Sequence, residues 1–255
     1  MLKIENLTKM FGGLAAVKDV SVEYEANQVN AIIGPNGAGK STFFNLVGGA
    51  QKPSSGRIIL DGEDITTLRC DHIAKRGVGR TFQTTNLFDQ ASVLDNLIVG
   101  HRLRTRSGLW DVLTNSRRLQ REEKLSRDRA REALDFVGLS HVENRFIADI
   151  TQEESKRVAF ALALATEPKI LLLDEPAAGV NPEETEGLAR LIRKMVDHGL
   201  TVCLIEHKMD MIMGIADKIM VLDHGEKIAE GAPQAVREDP AVIEAYLGSD
   251  DDAAA

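Results

Sequence analysis

Short segments in which apolar and polar residues alternate lie near the start of the chain. They cover Leu2–Leu7, Val20–Tyr24 and Arg57–Leu60, with turn-forming residues between them. Alternation with a period of two is typical of a strand that has one buried and one exposed face. We therefore predict an antiparallel β layer in the N-terminal part of the fold.

Later strands are predicted from short, mainly apolar segments, which alternate with segments of helical periodicity. The predicted helices are Ser41–Val47, Pro182–Val196 and Met209–Ile215. The predicted strands are Val29–Ile33, Ile170–Leu173, Thr201–Ile205 and Lys218–Leu222. This alternation predicts an α/β fold with a mainly parallel sheet.

The middle of the chain, from about residue 86 to about residue 156, has helical periodicity and no convincing strand pattern. We interpret it as an α-helical subdomain inserted into the α/β core of a single domain over residues 1–248. Residues 249–255 are acidic and end in alanines. They are predicted to form a disordered tail.

Charge, cysteine content and hydropathy narrow the possible functions. The chain has 31 Lys and Arg residues against 39 Asp and Glu residues, and its net charge of −8 argues against nucleic-acid binding over a broad surface. Its two cysteines, Cys70 and Cys203, cannot form a disulfide framework. The longest apolar run, Val158–Ala165, is far shorter than the about 20 residues that span a bilayer. We expect a cytoplasmic protein.

The segment from Gly34 to Thr42 reads Gly-Pro-Asn-Gly-Ala-Gly-Lys-Ser-Thr and matches the P-loop pattern. It lies between a predicted strand and a predicted helix, which is the context that the pattern requires. Glycines allow the backbone N–H groups and the helix N-terminus to face a phosphate chain. Lys40 would bind the outer phosphates, and the Ser41 hydroxyl would bind Mg²⁺. The sequence therefore predicts a site for ATP and Mg²⁺.

Two carboxylates, Asp174 and Glu175, follow the apolar strand Ile170–Leu173. A buried strand holds such side chains at its exposed end. Asp174 could bind the hydrated Mg²⁺, and Glu175 could polarise a water molecule for attack on the γ-phosphate. An acidic strand end alone is moderate evidence, but together with a P-loop it predicts nucleotide hydrolysis.

These motifs resemble those of the ATP-binding subunits of ABC transporters, and the resemblance extends to about Gly248. It implies that Phe11 stacks on adenine, that Gln83 senses Mg²⁺ and the membrane subunit, and that His207 contacts the γ-phosphate. It also implies that Ala177–Asn181 contacts the opposite subunit. The expected catalytic residues are Glu175 and His207, and the expected metal-binding residues are Ser41, Gln83 and Asp174. The expected nucleotide-binding residues are Phe11, Gly34, Pro35, Asn36, Gly37, Ala38, Gly39, Lys40, Ser41, Thr42, Gln83 and Asp174.

One family motif is altered. The L-S-G-G-Q signature of the family corresponds here to Ile150–Glu154, in which Thr151 keeps a hydroxyl but Glu153 replaces the second glycine. In the family this segment contacts the γ-phosphate of ATP bound by the partner subunit. Two unit charges about 4 Å apart repel by roughly 4 kcal/mol at an effective dielectric constant of about 20. We therefore expect a weak half-site here, unless Glu153 turns aside into solvent, and we favour pairing with a different ATPase subunit.

The segments after Gln83 resemble the branched-chain amino acid importers, as do Ile205–Met211 and Pro240–Gly248. This resemblance implies transmembrane permease subunits, a second ATPase subunit and, indirectly, a substrate-binding protein as partners. It also implies a position at the inner face of the plasma membrane. The transported solute could equally be another amino acid, an amide or urea. The alternatives are a soluble ABC ATPase outside transport, or a nucleotide-binding module with little turnover because of its altered signature.

The segment from His101 to Arg131 contains ten Lys and Arg residues against four Asp and Glu residues. Such residues could contact anionic lipid headgroups, with Trp110 as an interfacial anchor. The simpler interpretation, which we favour, is a solvated helix face with Trp110 packed inward.

Overall fold

The computed structural model describes residues 1–81, 87–101, 111 and 116–251. The chain divides into two compact units. The first is formed by Met1–Arg80 together with Lys169–Ala255, and the second is formed by Thr81–Pro168. The predicted insert over about residues 86–156 lies within the second unit.

The elements of the first half of the chain are β1 (Leu2–Phe11), β2 (Leu14–Tyr24), β3 (Val29–Ile33), α1 (Lys40–Val47), β4 (Ser55–Leu60), β5 (Glu63–Asp64), α2 (Cys70–Lys75), β6 (Val78–Thr81), α3 (Val93–His101) and α4 (Arg117–Phe136). Two 3-10 turns follow at Ser140–Val142 and Ile147–Asp149. The elements of the second half are α5 (Gln152–Leu164), β7 (Ile170–Asp174), α6 (Pro182–Asp197), β8 (Thr201–Ile205), α7 (Met209–Ile215), β9 (Lys218–Asp223), β10 (Glu226–Gly231), α8 (Pro233–Arg237) and α9 (Pro240–Asp251).

The first unit contains the predicted antiparallel layer, with strand order β2-β1-β4-β5. Its strands β1 and β2 are longer than the alternating pattern indicates. The register between them shifts three times, between Ile4 and Leu7, between Leu7 and Lys9, and between Lys9 and Met10. Each shift moves the following side chains out of strict alternation. The pattern in the sequence therefore fades before the strands end.

The second sheet has strand order β10-β9-β3-β8-β7-β6 and is mainly parallel. Strand β3 pairs in parallel with β8 and β9, and β7 pairs in parallel with β8. Every residue of β3, β7 and β8 is buried, as expected for strands covered on both faces. Because the carboxyl ends of parallel strands meet at one edge, the residues that follow β3, β7 and β8 come together there.

Helices α3, α4 and α5 belong to the second unit, in agreement with the helical periodicity of this segment. Helix α4 starts at a side-chain cap, since the Ser116 hydroxyl accepts a hydrogen bond from the Leu119 N–H at 3.2 Å. Residues 249–251 of the tail predicted over residues 249–255 are helical, because α9 continues to Asp251, and the other four lie outside the described residues. Among the residues that the structure describes, no helix has both the length and the apolar character needed to cross a membrane.

The packing of β7 generates a first prediction. Leu172 is buried within the core between two sheet neighbours, so Leu172→Ala should lower the free energy of unfolding by about 2–5 kcal/mol. Leu14→Ala, at a position that is 70% exposed, should change it by less than about 0.5 kcal/mol. Urea denaturation followed by circular dichroism measures both values. If both variants lowered the free energy of unfolding by the same small amount, the assignment of β7 to the core would be contradicted.

Candidate nucleotide site

The P-loop connects β3 to α1 at the carboxyl edge of the parallel sheet, and two of its glycines lie against other backbone segments. A Cβ atom on Gly34 would lie 1.9 Å from the Leu222 carbonyl oxygen, and one on Gly39 would lie 2.2 Å from the Ala16 carbonyl oxygen. Both glycines also have positive φ angles, of 147° and 97°. Neither position accepts a side chain, so the sequence of the loop is fixed by its packing as well as by phosphate chemistry.

The ammonium group of Lys40 is held on the inner side of this loop. Its Nζ atom donates hydrogen bonds of 2.7 Å to the carbonyl oxygens of both Gly34 and Pro35, and the residue is only 6% exposed. Burial lowers the pKa of Lys40, while the charges of Glu175 and Asp174 raise it. The side chain is therefore a cation fixed beside the loop by two neutral acceptors, and a phosphate oxygen would be a stronger partner.

A cavity of about 220 Å³ lies at the loop. It is lined by Ala16, Asn36, Gly37, Ala38, Gly39, Lys40, Ser41, Thr42, Glu175 and His207. All but Ala16 are residues that the sequence predicts for the site. The cavity thus combines a loop suited to phosphate with one carboxylate and one imidazole.

Glu175 and His207 meet at this cavity although they follow different strands. The Glu175 Oε1 atom lies 3.2 Å from the His207 Nε2 atom. Glu175 has a φ angle of 48°, in the left-handed region that residues with a Cβ rarely adopt. Its N–H donates a hydrogen bond of 2.9 Å to the Ile205 carbonyl oxygen, which holds this conformation. Backbone strain therefore occurs at the residue whose carboxylate contacts His207.

Asp174, the last residue of β7, is 6% exposed. Its Oδ2 atom lies 3.4 Å from the Arg80 Nη2 atom, and Arg80 Nη1 donates a hydrogen bond of 2.8 Å to Asn45 Oδ1. Burial raises the pKa of Asp174, and the Arg80 guanidinium opposes this effect. In the part of the chain that the structure describes, the buried Oδ1 atom of Asp174 has no hydrogen-bond partner. A carboxylate oxygen left in this way, with the Ser41 hydroxyl on the cavity wall, fits the oxygen ligands that Mg²⁺ prefers.

Four of the predicted residues that the structure describes lie outside the cavity lining, namely Phe11, Gly34, Pro35 and Asp174. Gly34 and Pro35 contribute the carbonyl oxygens that hold Lys40. Phe11 is half exposed at the end of β1, and the Lys9 ammonium group lies 5.1 Å from the centre of its ring. Gln83 lies outside the described residues, as do Trp110 and much of the basic segment. Ala16 was not predicted, because its contact is made through the backbone and leaves no chemical signal in the sequence.

The segment Ile150–Glu154 is described within the second unit. Thr151 is the N-cap of α5 and forms a capping box, in which its hydroxyl accepts from the Glu154 N–H at 3.1 Å and the Glu154 carboxylate accepts from the Thr151 N–H at 2.8 Å. Glu153 Oε1 accepts a hydrogen bond from Arg157 Nε, one turn further along the helix. The carboxylate of Glu153 is therefore paired with a cation and does not simply turn aside into solvent.

A family model for ABC transporters matches residues 17–178. The chain belongs to the ABC transporter family. A second model, for branched-chain amino acid ATP-binding cassette transporters, matches residues 226–252 of this ABC ATPase. The family and the α/β P-loop fold predicted from the sequence are both confirmed.

Relatives over nearly the whole length agree with this assignment. The ABC ATPase is 41% identical to the high-affinity branched-chain amino acid transport ATP-binding protein BraF of Pseudomonas aeruginosa, over 97% of this chain and 98% of BraF. The ADP conformation of MJ1267, an ATP-binding cassette of an ABC transporter, is 33% identical with a TM-score of 0.86, over 97% and 98% of the two chains. A dimeric post-hydrolysis state of the cassette MJ0796, bound to ADP and Pi, is 27% identical with a TM-score of 0.76, over 91% and 99%.

The burial of Asp174 generates a second prediction, on the pH dependence of stability. Because its pKa is raised in the folded chain, this group stabilises the fold at acid pH, below its ordinary pKa, and that contribution is lost as the pH rises through the raised value. Asp174→Asn removes this loss. In Mg²⁺-free buffer the variant should therefore unfold at a higher temperature than the original chain at pH 7, by a margin that shrinks toward pH 4.

Asp64→Asn is the matched control with the opposite sign. Hydrogen bonds from Thr66 lower the pKa of Asp64, so its carboxylate stabilises the fold above its ordinary pKa, and this stability is lost as the pH falls. Asp64→Asn should therefore be less stable than the original chain at pH 7, with the difference vanishing at acid pH. Thermal unfolding between pH 4 and pH 8 measures both slopes. Slopes of the same sign would contradict the assigned environment of Asp174.

Proposed function

We propose that this ABC ATPase powers an importer of branched-chain amino acids or of chemically related solutes. The observation that carries the proposal is the pairing of Glu175 with His207 at 3.2 Å on the wall of a P-loop cavity that also contains Lys40. The name of the relative BraF and the match of residues 226–252 to the model for branched-chain amino acid transporters support the choice of solute class. A soluble ABC ATPase outside transport finds no support in the relatives reported above.

Binding begins with the phosphate chain of ATP in the P-loop. The backbone N–H groups of Asn36–Thr42 and the N-terminus of α1 face the phosphates, and Lys40 exchanges a carbonyl oxygen of Gly34 or Pro35 for a phosphate oxygen. Phe11 lies at the end of β1, where its half-exposed ring offers a face for adenine. Glycine at positions 34 and 39 keeps the loop close enough to its neighbours for this shape to persist.

Mg²⁺ would be held by Ser41 and Asp174, with Gln83 as a third candidate ligand. When bound, it neutralises the charge that develops on the β- and γ-phosphates. The Oδ1 atom of Asp174 has no hydrogen-bond partner among the described residues, so it could bind Mg²⁺ without losing an existing hydrogen bond. Arg80 would keep its hydrogen bond to Asn45. Asp174 thus contributes a fixed negative charge at the end of a buried strand.

Glu175 orients and deprotonates the attacking water. The water oxygen forms a bond to the γ-phosphorus, the bond from this phosphorus to the β,γ-bridging oxygen breaks, and the water proton passes to the Glu175 carboxylate. His207 lies within hydrogen-bond distance of that carboxylate and on the same cavity wall, so its ring keeps Glu175 oriented and contacts the γ-phosphate. Both groups are positioned by the chain before ATP arrives.

The partners that we propose are transmembrane permease subunits and a second, dissimilar ATPase subunit, with a substrate-binding protein acting through the permease. The ATPase would thereby lie at the inner face of the plasma membrane. The asymmetry of the pair is supported by the signature segment. Its Thr151 hydroxyl is engaged with Glu154, and two carboxylates occupy the first turn of α5. A phosphate of the partner's ATP would have to displace these groups.

Glu175→Gln tests the hydrolytic role. The amide cannot accept the water proton, so we expect the ATPase rate constant to fall by about 10²-fold or more while ATP is still bound. The measurement is phosphate release by the purified chain, alone and with its second ATPase subunit. Glu186→Gln, in an exposed ion pair with Arg190, is the matched control and should leave the rate unchanged. Undiminished hydrolysis by Glu175→Gln would rule out the proposed role.

Glu153→Gly tests the asymmetric pair. Removing this carboxylate restores the glycine of the family signature, so the ATPase activity of the chain without a partner should rise several-fold. The control is Glu183→Gly, which makes the same change at the same position of α6, the second residue after the N-cap. It lowers helix propensity equally but should not raise activity. Unchanged activity in Glu153→Gly would contradict the weak half-site.

A further inference from the structure

Two residues that flank His207 are bound to the segment that follows Glu175. Glu206 precedes His207 and is 3% exposed. Its Oε1 atom accepts a hydrogen bond of 2.7 Å from the Ala177 N–H. Its Oε2 atom accepts hydrogen bonds of 2.9 Å from the His207 N–H and 3.3 Å from the Lys208 N–H. One buried carboxylate therefore joins the backbones on either side of the Glu175–His207 contact.

These contacts explain why a carboxylate is retained at a buried position. An ionised group without partners is costly to bury, whereas a carboxylate that accepts several backbone hydrogen bonds is compensated. Glu206 is compensated only while the N–H groups of Ala177 and His207 stay within reach. Any shift of one segment relative to the other would leave part of a buried charge unsatisfied.

Lys208 makes a second connection on the other side of His207. Its Nζ atom donates hydrogen bonds of 2.9 Å to the Val180 carbonyl oxygen and 2.8 Å to the Thr185 hydroxyl. Thr185 lies in the first turn of α6 and donates in turn to the Asn181 carbonyl oxygen at 2.8 Å. The segment from Ala177 to Thr185 is thus attached to both neighbours of His207.

We propose that Glu206 and Lys208 are positioning residues, which hold the His207 ring against Glu175 by fixing the loop after β8 to the loop after β7. The proposal rests on the proposed roles of Glu175 and His207 in hydrolysis. Neither positioning residue lines the cavity. Their effect on the reaction is exerted through His207, and the P-loop binds nucleotide without them.

Glu206→Gln replaces one carboxylate oxygen with an N–H₂ group that faces N–H donors. Lys208→Met removes both hydrogen bonds of Nζ and keeps an unbranched side chain at this partly buried position. We expect each variant to reduce kcat for ATP by about tenfold, equivalent to about 1.4 kcal/mol, with KM for ATP changed by less than about twofold. Lys3 and the partly buried Glu5 form an ion pair outside the nucleotide site and offer matched controls, Lys3→Met and Glu5→Gln, which should leave both constants unchanged.

A double-mutant cycle separates positioning from general stability. If Glu206 acts through His207, adding Glu206→Gln to His207→Ala should cost little further activity, because the ring to be positioned is already absent. The proposal would be overturned if the losses of kcat in the two single variants multiplied in the double variant. It would also be overturned if a higher KM and a lower melting temperature explained the whole loss of activity. The same cycle with Lys208→Met provides a second test if Glu206→Gln does not fold.

The NMR signals of the histidine rings give a readout that does not depend on turnover. In Glu206→Gln and Lys208→Met the His207 ring signals should shift or broaden, whereas those of the exposed His224 should not. Unchanged His207 signals would overturn the proposal. Glu175→Gln distinguishes failure of the proposed function from failure of the positioning proposal. If the proposed function is wrong, Glu175→Gln would retain ATPase activity. If only the positioning proposal is wrong, Glu175→Gln would be inactive and both positioning variants would be active.

Discussion

The close approach of the P-loop backbone to the carbonyl groups of Leu222 and Ala16 is the constraint on which the nucleotide site depends. No side chain fits between these segments at Gly34 or Gly39. The loop is consequently supported by main-chain atoms of β9 and β2, and its own carbonyl groups remain available to hold Lys40. Cavity, cation and helix N-terminus acquire their relative positions from this packing before any nucleotide is bound.

The parallel sheet provides the second part of the site, because it brings the ends of β7 and β8 beside the loop that follows β3. Burial keeps the strands rigid, but it also makes ionised groups at their ends costly. Each acidic residue here has its own compensation. Asp174 lies beside Arg80, Glu175 beside His207, and Glu206 accepts from three backbone N–H groups. The chain thus concentrates three carboxylates at one edge, and at Asp174 the cost of burial still outweighs the neighbouring guanidinium, which is why its pKa is raised.

Much of this architecture could be predicted from the sequence, and the omissions have physical causes. The P-loop, the strand before Asp174 and the position of His207 are local patterns, so residue order alone indicated them. The roles of Glu206 and Lys208 could not be predicted, because their partners Ala177 and Thr185 are distant in sequence and come close only when β7 and β8 pair. The capping box of Thr151 and Glu154 is also a local pattern, because the two residues are three positions apart, and it could be predicted from the sequence.

The division of the first unit into two separated stretches of chain has a consequence for biosynthesis. Strand β3 and its P-loop leave the ribosome early. Both sheet neighbours of β3 come much later in the chain, β8 at Thr201–Ile205 and β9 at Lys218–Asp223. The second unit, by contrast, is one uninterrupted stretch of the chain, Thr81–Pro168. A nascent chain can therefore complete its helical insert first, and ATP cannot stabilise the phosphate-binding loop until translation is almost finished.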